Sequence, residues 1–129
     1  VTRRARGDAP SLLDAASAPR PVQHVPLYIA GDHERSIDLA ARAGDGWIAP
    51  TATFARGIQC FREASERVGR AALSAITLQE LRKGESLGET PFGRDPQGWL
   101  AAQGATGADC AVITLRSRSD VAHFSAMIR

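Results

Sequence analysis

The sequence predicts an α/β fold in which a parallel sheet is covered by helices. Across residues 25–129, short apolar runs alternate with segments of helical spacing, and the strand–helix pair occurs four times. Such alternation is typical of parallel strands joined by right-handed crossovers. The length of 129 residues and the hydrophobic content of 43% are sufficient for one domain with a buried core.

The first strand–helix unit contains the clearest pattern in the chain. The apolar run at 25–30 suits a strand buried on both faces. The following segment, 34–43, places its apolar side chains on one helical stripe. We expect Asp32 to cap the start of this helix and Gly44 to close it in the left-handed conformation.

The later units repeat this pattern with different boundary signals. Asp95-Pro96 favours a helix start, because an aspartate can cap the helix and proline suits its first position. Ser119 or Asp120 is expected to cap the last helix, and residues 84–93 are interpreted as a loop. The remaining predictions are strands at 46–49, 74–81 and 110–115, and helices at 54–68 (with Ile58, Phe61, Ala64 and Val68 on one face), from 95 to about 104, and at 120–128.

Four β/α units fill only half of a (β/α)8 barrel, whose usual length is about 250 residues. The periodicity therefore leaves two alternatives open, a small open α/β sheet and a partial barrel that lacks its first four units. Residues 1–24 are rich in arginine, alanine and proline and are interpreted as an N-terminal loop or linker.

Composition argues against several functional classes. The formal charge of +2 is too small to indicate nucleic-acid binding, and no aromatic residues interleave with the arginines near the N-terminus. No apolar run approaches the roughly 20 residues needed to span a bilayer, and no secretory signal is visible, so we expect a cytoplasmic protein. Cys60 and Cys110 lie far apart and are expected to be small buried residues.

Polar candidates for chemistry are few. Asp32-His33-Glu34 could suggest a metal site, but first-turn acids that serve the helix dipole explain it better. His24 and His123 are isolated and expected at the surface. Glu80 and Arg82 flank the end of the third strand, which makes them the best polar candidates for contacting a ligand, although a surface pair is the simpler interpretation.

Two tryptophans could line a pocket, but both are expected to be packing residues. Trp47 opens the second strand and Trp99 lies one turn into a later helix. Neither a nucleophile motif nor a phosphate-binding glycine motif is present, so hydrolase and dinucleotide functions are not indicated.

Two blocks carry a resemblance to the luciferase-like monooxygenases. The stretch Val25-Pro-Leu-Tyr-Ile-Ala-Gly31 leads into a helix that ends Ala40-Ala-Arg-Ala43, and Gly44-Asp-Gly-Trp-Ile48 follows without a gap. The later stretch Gly104-Ala-Thr-Gly-Ala-Asp-Cys-Ala-Val-Ile113 and the closing helix resemble the last strand and helix of that family. The resemblance implies that residues 25–129 are the C-terminal half of a (β/α)8 barrel.

The resemblance also implies an oxidoreductase that uses FMN or a deazaflavin coenzyme for hydride transfer or oxygen insertion. Carried over position by position, the cofactor phosphate would rest on the backbone of Ala30, Gly31, Asp32 and His33, and on Pro50 with Thr51 beside it. Two positions depart from the family pattern. Asp32 could cap the helix and occupy the amides that a phosphate would use. Pro50 has no amide hydrogen to donate.

A half barrel would have two open sheet edges and an uncovered interior. We therefore expect a homodimer or pairing with another half barrel. In this family the residues that face the substrate come largely from the first four units, so the resemblance assigns no catalytic residue here. A non-catalytic half barrel that binds a cofactor or partner, or a truncated inactive product, stays an alternative.

Overall fold

A computed structural model of the chain describes residues 23–128. The four strands form one parallel sheet in the order β1-β2-β3-β4. This confirms the predicted α/β fold, whose four-stranded parallel sheet and covering helices correspond to a partial (β/α)8 barrel. The elements are β1 (Tyr28–Ala30), α1 (Glu34–Ala43), β2 (Gly46–Pro50), α2 (Thr51–Arg67), β3 (Ser74–Gln79), a 3₁₀ turn (Leu87–Glu89), α3 (Pro91–Arg94), α4 (Pro96–Thr106), β4 (Cys110–Ile113) and α5 (Arg118–Met127).

The main core lies between the sheet and the helices α1 and α2. Trp47 on β2 is fully buried and stacks against Phe54 and Phe61 of α2, with ring centroids 5.2 and 5.4 Å apart. Gly57 allows this approach, because a Cβ atom there would lie 2.8 Å from the Trp47 ring. Small residues such as Ala40 fill the space between the two helices and the sheet. The prediction that Trp47 is a packing residue is confirmed.

A second apolar cluster packs at the β4 side of the sheet. Leu87, Phe92 and Trp99 are buried there, and the Phe92 and Trp99 rings meet edge to face at 5.5 Å. Phe124 of α5 stacks on Phe92 at 6.3 Å. Trp99 is therefore also a packing residue, as predicted.

The opposite face of the sheet is open at its two edge strands. Tyr28 on β1 and Val112 on β4 are 47% and 39% exposed, and both point away from the helices. The prediction that the first strand is buried on both faces is wrong. β1 is an edge strand, and only Ile29 packs against the main core.

Several predicted boundaries also differ. Gly44 ends α1 with φ −93° and ψ 173°, so it is extended rather than left-handed. Glycine is nevertheless required there, since a Cβ atom would lie 2.9 Å from the Ile29 side chain. α2 begins at Thr51, three residues earlier than predicted, and Val68 is 41% exposed rather than on the buried face. Cys60 and Cys110 are exposed, contrary to expectation, because Cys60 lines an open groove between α1 and α2 and Cys110 lies on the open face of β4.

The segment after β3 was predicted as a loop but contains the 3₁₀ turn and α3. Leu87 and Phe92 are the reason, because each inserts a buried side chain into the second cluster. α4 begins as predicted, with the Asp95 side chain accepting a hydrogen bond from the Gly98 amide at 3.1 Å. α5 is capped by Ser117, so the prediction of Ser119 or Asp120 as its cap is wrong. The predicted linker at 1–24 lies almost entirely outside the described residues.

Candidate cofactor site at the strand ends

Two neighbouring clefts open at the carboxyl ends of β1, β2 and β3. The first cleft, of about 270 Å³, lies beside Ala30, Gly31 and Asp32. The second cleft, of about 390 Å³, extends from the start of α2 to Trp99. The clefts share Pro50, Leu78 and Glu80 in their walls, so one ligand can span both. Ligand sites of parallel α/β proteins lie at this edge of the sheet.

The turn after β1 is built around Gly31. Its φ of 146° favours glycine, and a Cβ atom would lie 2.5 Å from the Ser36 hydroxyl. The Gly31 amide donates to the Ile48 carbonyl at 3.0 Å, while its carbonyl accepts a hydrogen bond from the Trp47 indole at 2.6 Å. Both backbone groups of Gly31 are therefore used by the fold, and its contribution to a site is the shape of the turn.

The start of α1 lacks the predicted aspartate cap, so its amides are free to bind an anion. His33, not Asp32, occupies the capping position, and no side chain among the described residues caps the helix. The predicted Asp32 cap is wrong because α1 begins at Glu34, which places Asp32 one residue too early. The first-turn amides are thus left without a carboxylate partner within residues 23–128. Asp32 itself lines the first cleft, whereas His33 faces a separate groove between α1 and α2.

The start of α2 adjoins both clefts through Pro50. Pro50 precedes the helix, and no side chain among the described residues caps it. The Thr51 hydroxyl donates to the Leu78 carbonyl at 3.1 Å and lies 3.1 Å from the Thr77 hydroxyl. The hydroxyl is therefore committed to β3, which leaves the first-turn amides of α2 as the polar groups that Thr51 and Ala52 bring to the second cleft.

The charges at the two clefts are unequal. Asp32 and Glu80 line the first cleft, and no cationic side chain among the described residues joins them. The second cleft adds Arg82, whose guanidinium lies 3.6 Å from the Glu85 carboxylate. Glu80 and Arg82 are both exposed at the strand end, and Arg82 pairs with Glu85 rather than with Glu80. An anion at this edge would therefore meet one arginine and three carboxylates.

The second cleft includes residues that sequence reasoning did not select. Glu85, Thr90 and Pro91 lie in the segment that was predicted to be a loop. The signal was present in the sequence, because Ser86 and Glu89 form a capping box and Thr90-Pro91 repeats the cap-and-proline pattern of Asp95-Pro96.

The histidines lie away from these clefts. His24 is exposed and hydrogen-bonds to Asp45 at 3.0 Å, at the opposite end of the sheet. The pKa of Asp45 is held below 3.8, first by the Leu27 amide and then by His24. His123 is exposed on α5. Within residues 23–128, no group of three or more His, Cys, Asp or Glu side chains could hold a metal ion. No helix in the same range is long and apolar enough to cross a membrane.

The chain is a β/α protein with two clefts at the carboxyl ends of its parallel strands. The family model of the luciferase-like monooxygenases matches residues 2–81, which is more than half of the chain. The chain therefore belongs to the luciferase-like monooxygenase family. The match runs through β3, and it also includes most of the residues interpreted as a linker. Neither the curated proteins nor the solved structures contain a match to this sequence.

Proposed function

We propose that the chain is a flavin-type oxidoreductase domain that binds the phosphate end of FMN or a deazaflavin coenzyme at the two clefts. The observation that carries the proposal is the pair of helix starts at this edge. The first residues of α2 line the second cleft, and α1 begins two residues after Asp32 of the first cleft. Neither helix start has a side-chain cap in the described residues. Uncapped helix starts attract anions through their free amides and the helix dipole.

The six residues implied by the family resemblance contribute unequally to this site. Ala30, Gly31, Asp32 and Pro50 line the first cleft, and Thr51 lines the second. His33 lines the groove between α1 and α2, and its ring lies 3.9 Å from the Asp32 carboxylate. The first-turn amides of α1 and α2 would hold the phosphate. The Gly31 amide is already bound to the Ile48 carbonyl and Pro50 has no amide hydrogen, so these two residues would shape the site instead. Asp32 and Glu80 line the clefts and reduce the affinity by charge repulsion.

The bound ring system would supply the hydride or oxygen chemistry, and the described residues would hold and orient it. Leu78 and Pro50 offer an apolar surface between the clefts, and Trp99 forms part of the far wall. Arg82 is the cationic side chain in the wall of the second cleft. We assign binding roles to these residues and no catalytic role.

We further propose that residues 25–129 form the C-terminal half of a (β/α)8 barrel and work with a second half, either in a homodimer or on another chain. The support is the open face of the sheet. Ala30, Ile48, Ile76 and Cys110 lie side by side on it across all four strands, and its edge-strand side chains are exposed. In a closed barrel this face is the packed interior. The alternative of a non-catalytic, cofactor-binding half barrel shares the same site and differs only in lacking turnover.

The test is a titration with FMN, the deazaflavin coenzyme and riboflavin, followed by fluorescence and calorimetry. We expect saturable binding of at least one phosphate-bearing cofactor, with competition by inorganic phosphate. Riboflavin lacks the phosphate and should bind at least about tenfold more weakly, a difference of about 1.4 kcal/mol. Folded protein that binds neither phosphate-bearing cofactor, or riboflavin as tight as FMN, would contradict the proposal.

Substitution of Asp32 is expected to strengthen FMN binding rather than weaken it. Asp32→Asn removes a negative charge beside the first turn of α1 and should tighten FMN binding about two- to fivefold, the usual size of a helix-terminal charge effect. Asp38→Asn is the matched control, since Asp38 lies one turn further along and pairs with Arg42 at 2.7 Å. The control should leave the FMN dissociation constant unchanged.

A further inference from the structure

One wall of the second cleft is hydrogen-bonded to residues that do not themselves line the cleft. The wall segment, residues 82–91, contributes Arg82, Glu85, Thr90 and Pro91 to the cleft. We propose that Asp120 and Arg116, which do not line that cleft, are positioning residues that fix the wall segment and thereby set the affinity of the cleft. This inference rests on the proposed function, because it concerns the same ligand site.

Asp120 is a buried carboxylate whose partners are backbone amides. It is 3% exposed, and its two oxygens accept hydrogen bonds from the Leu87 amide at 2.9 Å and the Arg116 amide at 3.0 Å. These amides hold the pKa of Asp120 below 3.8, so the group is a carboxylate at neutral pH. One side chain on α5 thus joins the start of the 3₁₀ turn to the segment that follows β4.

Arg116 makes a second connection to the same segment. Its guanidinium donates to the backbone carbonyls of Arg82 and Glu85. Both of these residues line the cleft. The Arg116 side chain therefore holds the backbone of the first half of the wall segment. The backbone amide of Arg116 in turn donates to the Asp120 carboxylate.

A third contact comes from the next turn of α5. The His123 ring lies against Gly88, where a Cβ atom would be 3.2 Å from the ring. Apolar packing of Leu87 and Phe92 keeps the segment on the protein, but packing is tolerant of small shifts along the surface. Hydrogen bonds to a charged acceptor are directional, so the Asp120 contacts determine where the backbone of the wall lies.

The test compares Asp120→Asn with a matched control, Asp109→Asn. Asp109 also joins two elements, since its carboxylate accepts from the Ala75 amide at 2.9 Å and from Arg62 at 2.9 Å, but it lies at the other end of the sheet. Amide hydrogen exchange of residues 82–91 and the FMN dissociation constant are measured for both variants. Asp120→Asn should speed exchange in the wall segment and weaken FMN binding by roughly tenfold, the size expected for a lost bond to a charged group. Asp109→Asn should change neither quantity.

Arg116→Gln gives a second route to the answer if Asp120→Asn folds poorly. It removes the bonds to the Arg82 and Glu85 carbonyls and should change exchange and affinity in the same direction. The positioning role is wrong if these variants lower the unfolding midpoint while exchange of the wall segment and FMN affinity stay at the wild-type values. If the wild-type protein binds no FMN, the proposed function fails, and the exchange comparison still decides whether Asp120 holds the wall.

Discussion

Gly31 gives the sharpest prediction about the turn that shapes the first cleft. Gly31→Ala introduces a side chain at a φ of 146°, a region that L residues rarely adopt. It also places a Cβ atom 2.5 Å from the Ser36 hydroxyl and 2.7 Å from the Ser36 Cβ. The variant therefore combines backbone strain with overpacking against the first turn of α1.

The two effects have separate magnitudes. Backbone strain at a sparsely populated φ costs about 1–3 kcal/mol. Overpacking against a neighbour that cannot move freely costs about 1–3 kcal/mol more. We expect Gly31→Ala to lower the free energy of unfolding by about 2–6 kcal/mol, a large share of the roughly 5–15 kcal/mol typical of a small domain.

Urea denaturation of three variants separates the cost of backbone strain from the cost of overpacking. Adding Ser36→Gly to Gly31→Ala removes both contacted atoms, so it should recover the overpacking part and leave the backbone strain. Gly69→Ala is the control for strain alone, because Gly69 has φ 75° and no atom within 4 Å of an added Cβ. A loss below about 0.5 kcal/mol for Gly31→Ala, within the range of an ordinary surface substitution, would refute the reasoning.

Three further predictions follow from packing, hydrogen bonding and charge. Gly57→Ala should lower the free energy of unfolding, measured by urea denaturation, by about 1–3 kcal/mol because its Cβ atom would lie 2.8 Å from the Trp47 ring. The control Gly104→Ala has open space around the added Cβ atom and should raise the free energy of unfolding by about 0.5–1 kcal/mol through helix propensity. Thr51→Val removes the hydrogen bond to the Leu78 carbonyl and should lower the free energy of unfolding by about 1 kcal/mol. FMN affinity should stay unchanged because the Thr51 backbone amide is retained. A large loss of FMN affinity would show that the hydroxyl, rather than the amide, binds the ligand. Hydrogen bonds from the Leu87 and Leu27 amides lower the pKa values of Asp120 and Asp45, respectively, below the ordinary value of 3.8 in the folded protein. Each carboxylate therefore stabilises the fold above pH 3.8, and this stabilisation is lost as the pH falls through the lowered pKa. Urea midpoints measured from pH 5 to 2 should fall less steeply in the Asp45→Asn/Asp120→Asn variant.

The amino-acid sequence by itself determined the order of strands and helices, and with it the parallel sheet. The bounds of α1 were predicted to the residue because its apolar stripe is a local signal, although Asp32 and Gly44 do not have the capping conformations predicted for them. The start of α4 was predicted for the same reason, since Asp95 caps its own helix three residues away. The resemblance to the family implied a place for Gly31 in the cofactor site, and that assignment stays a prediction.

The tertiary structure decided which faces are buried and which residues meet. Cys60 lies in an apolar helix pattern and Tyr28 in an apolar strand pattern, yet both are exposed, because burial depends on neighbours that are distant in sequence. The wall of the second cleft depends on Asp120 bonding to Leu87 across 33 positions, which no local pattern encodes. Periodicity reports the conformation of the backbone, whereas a cleft is formed by the contacts between elements, and those contacts exist only in the folded chain.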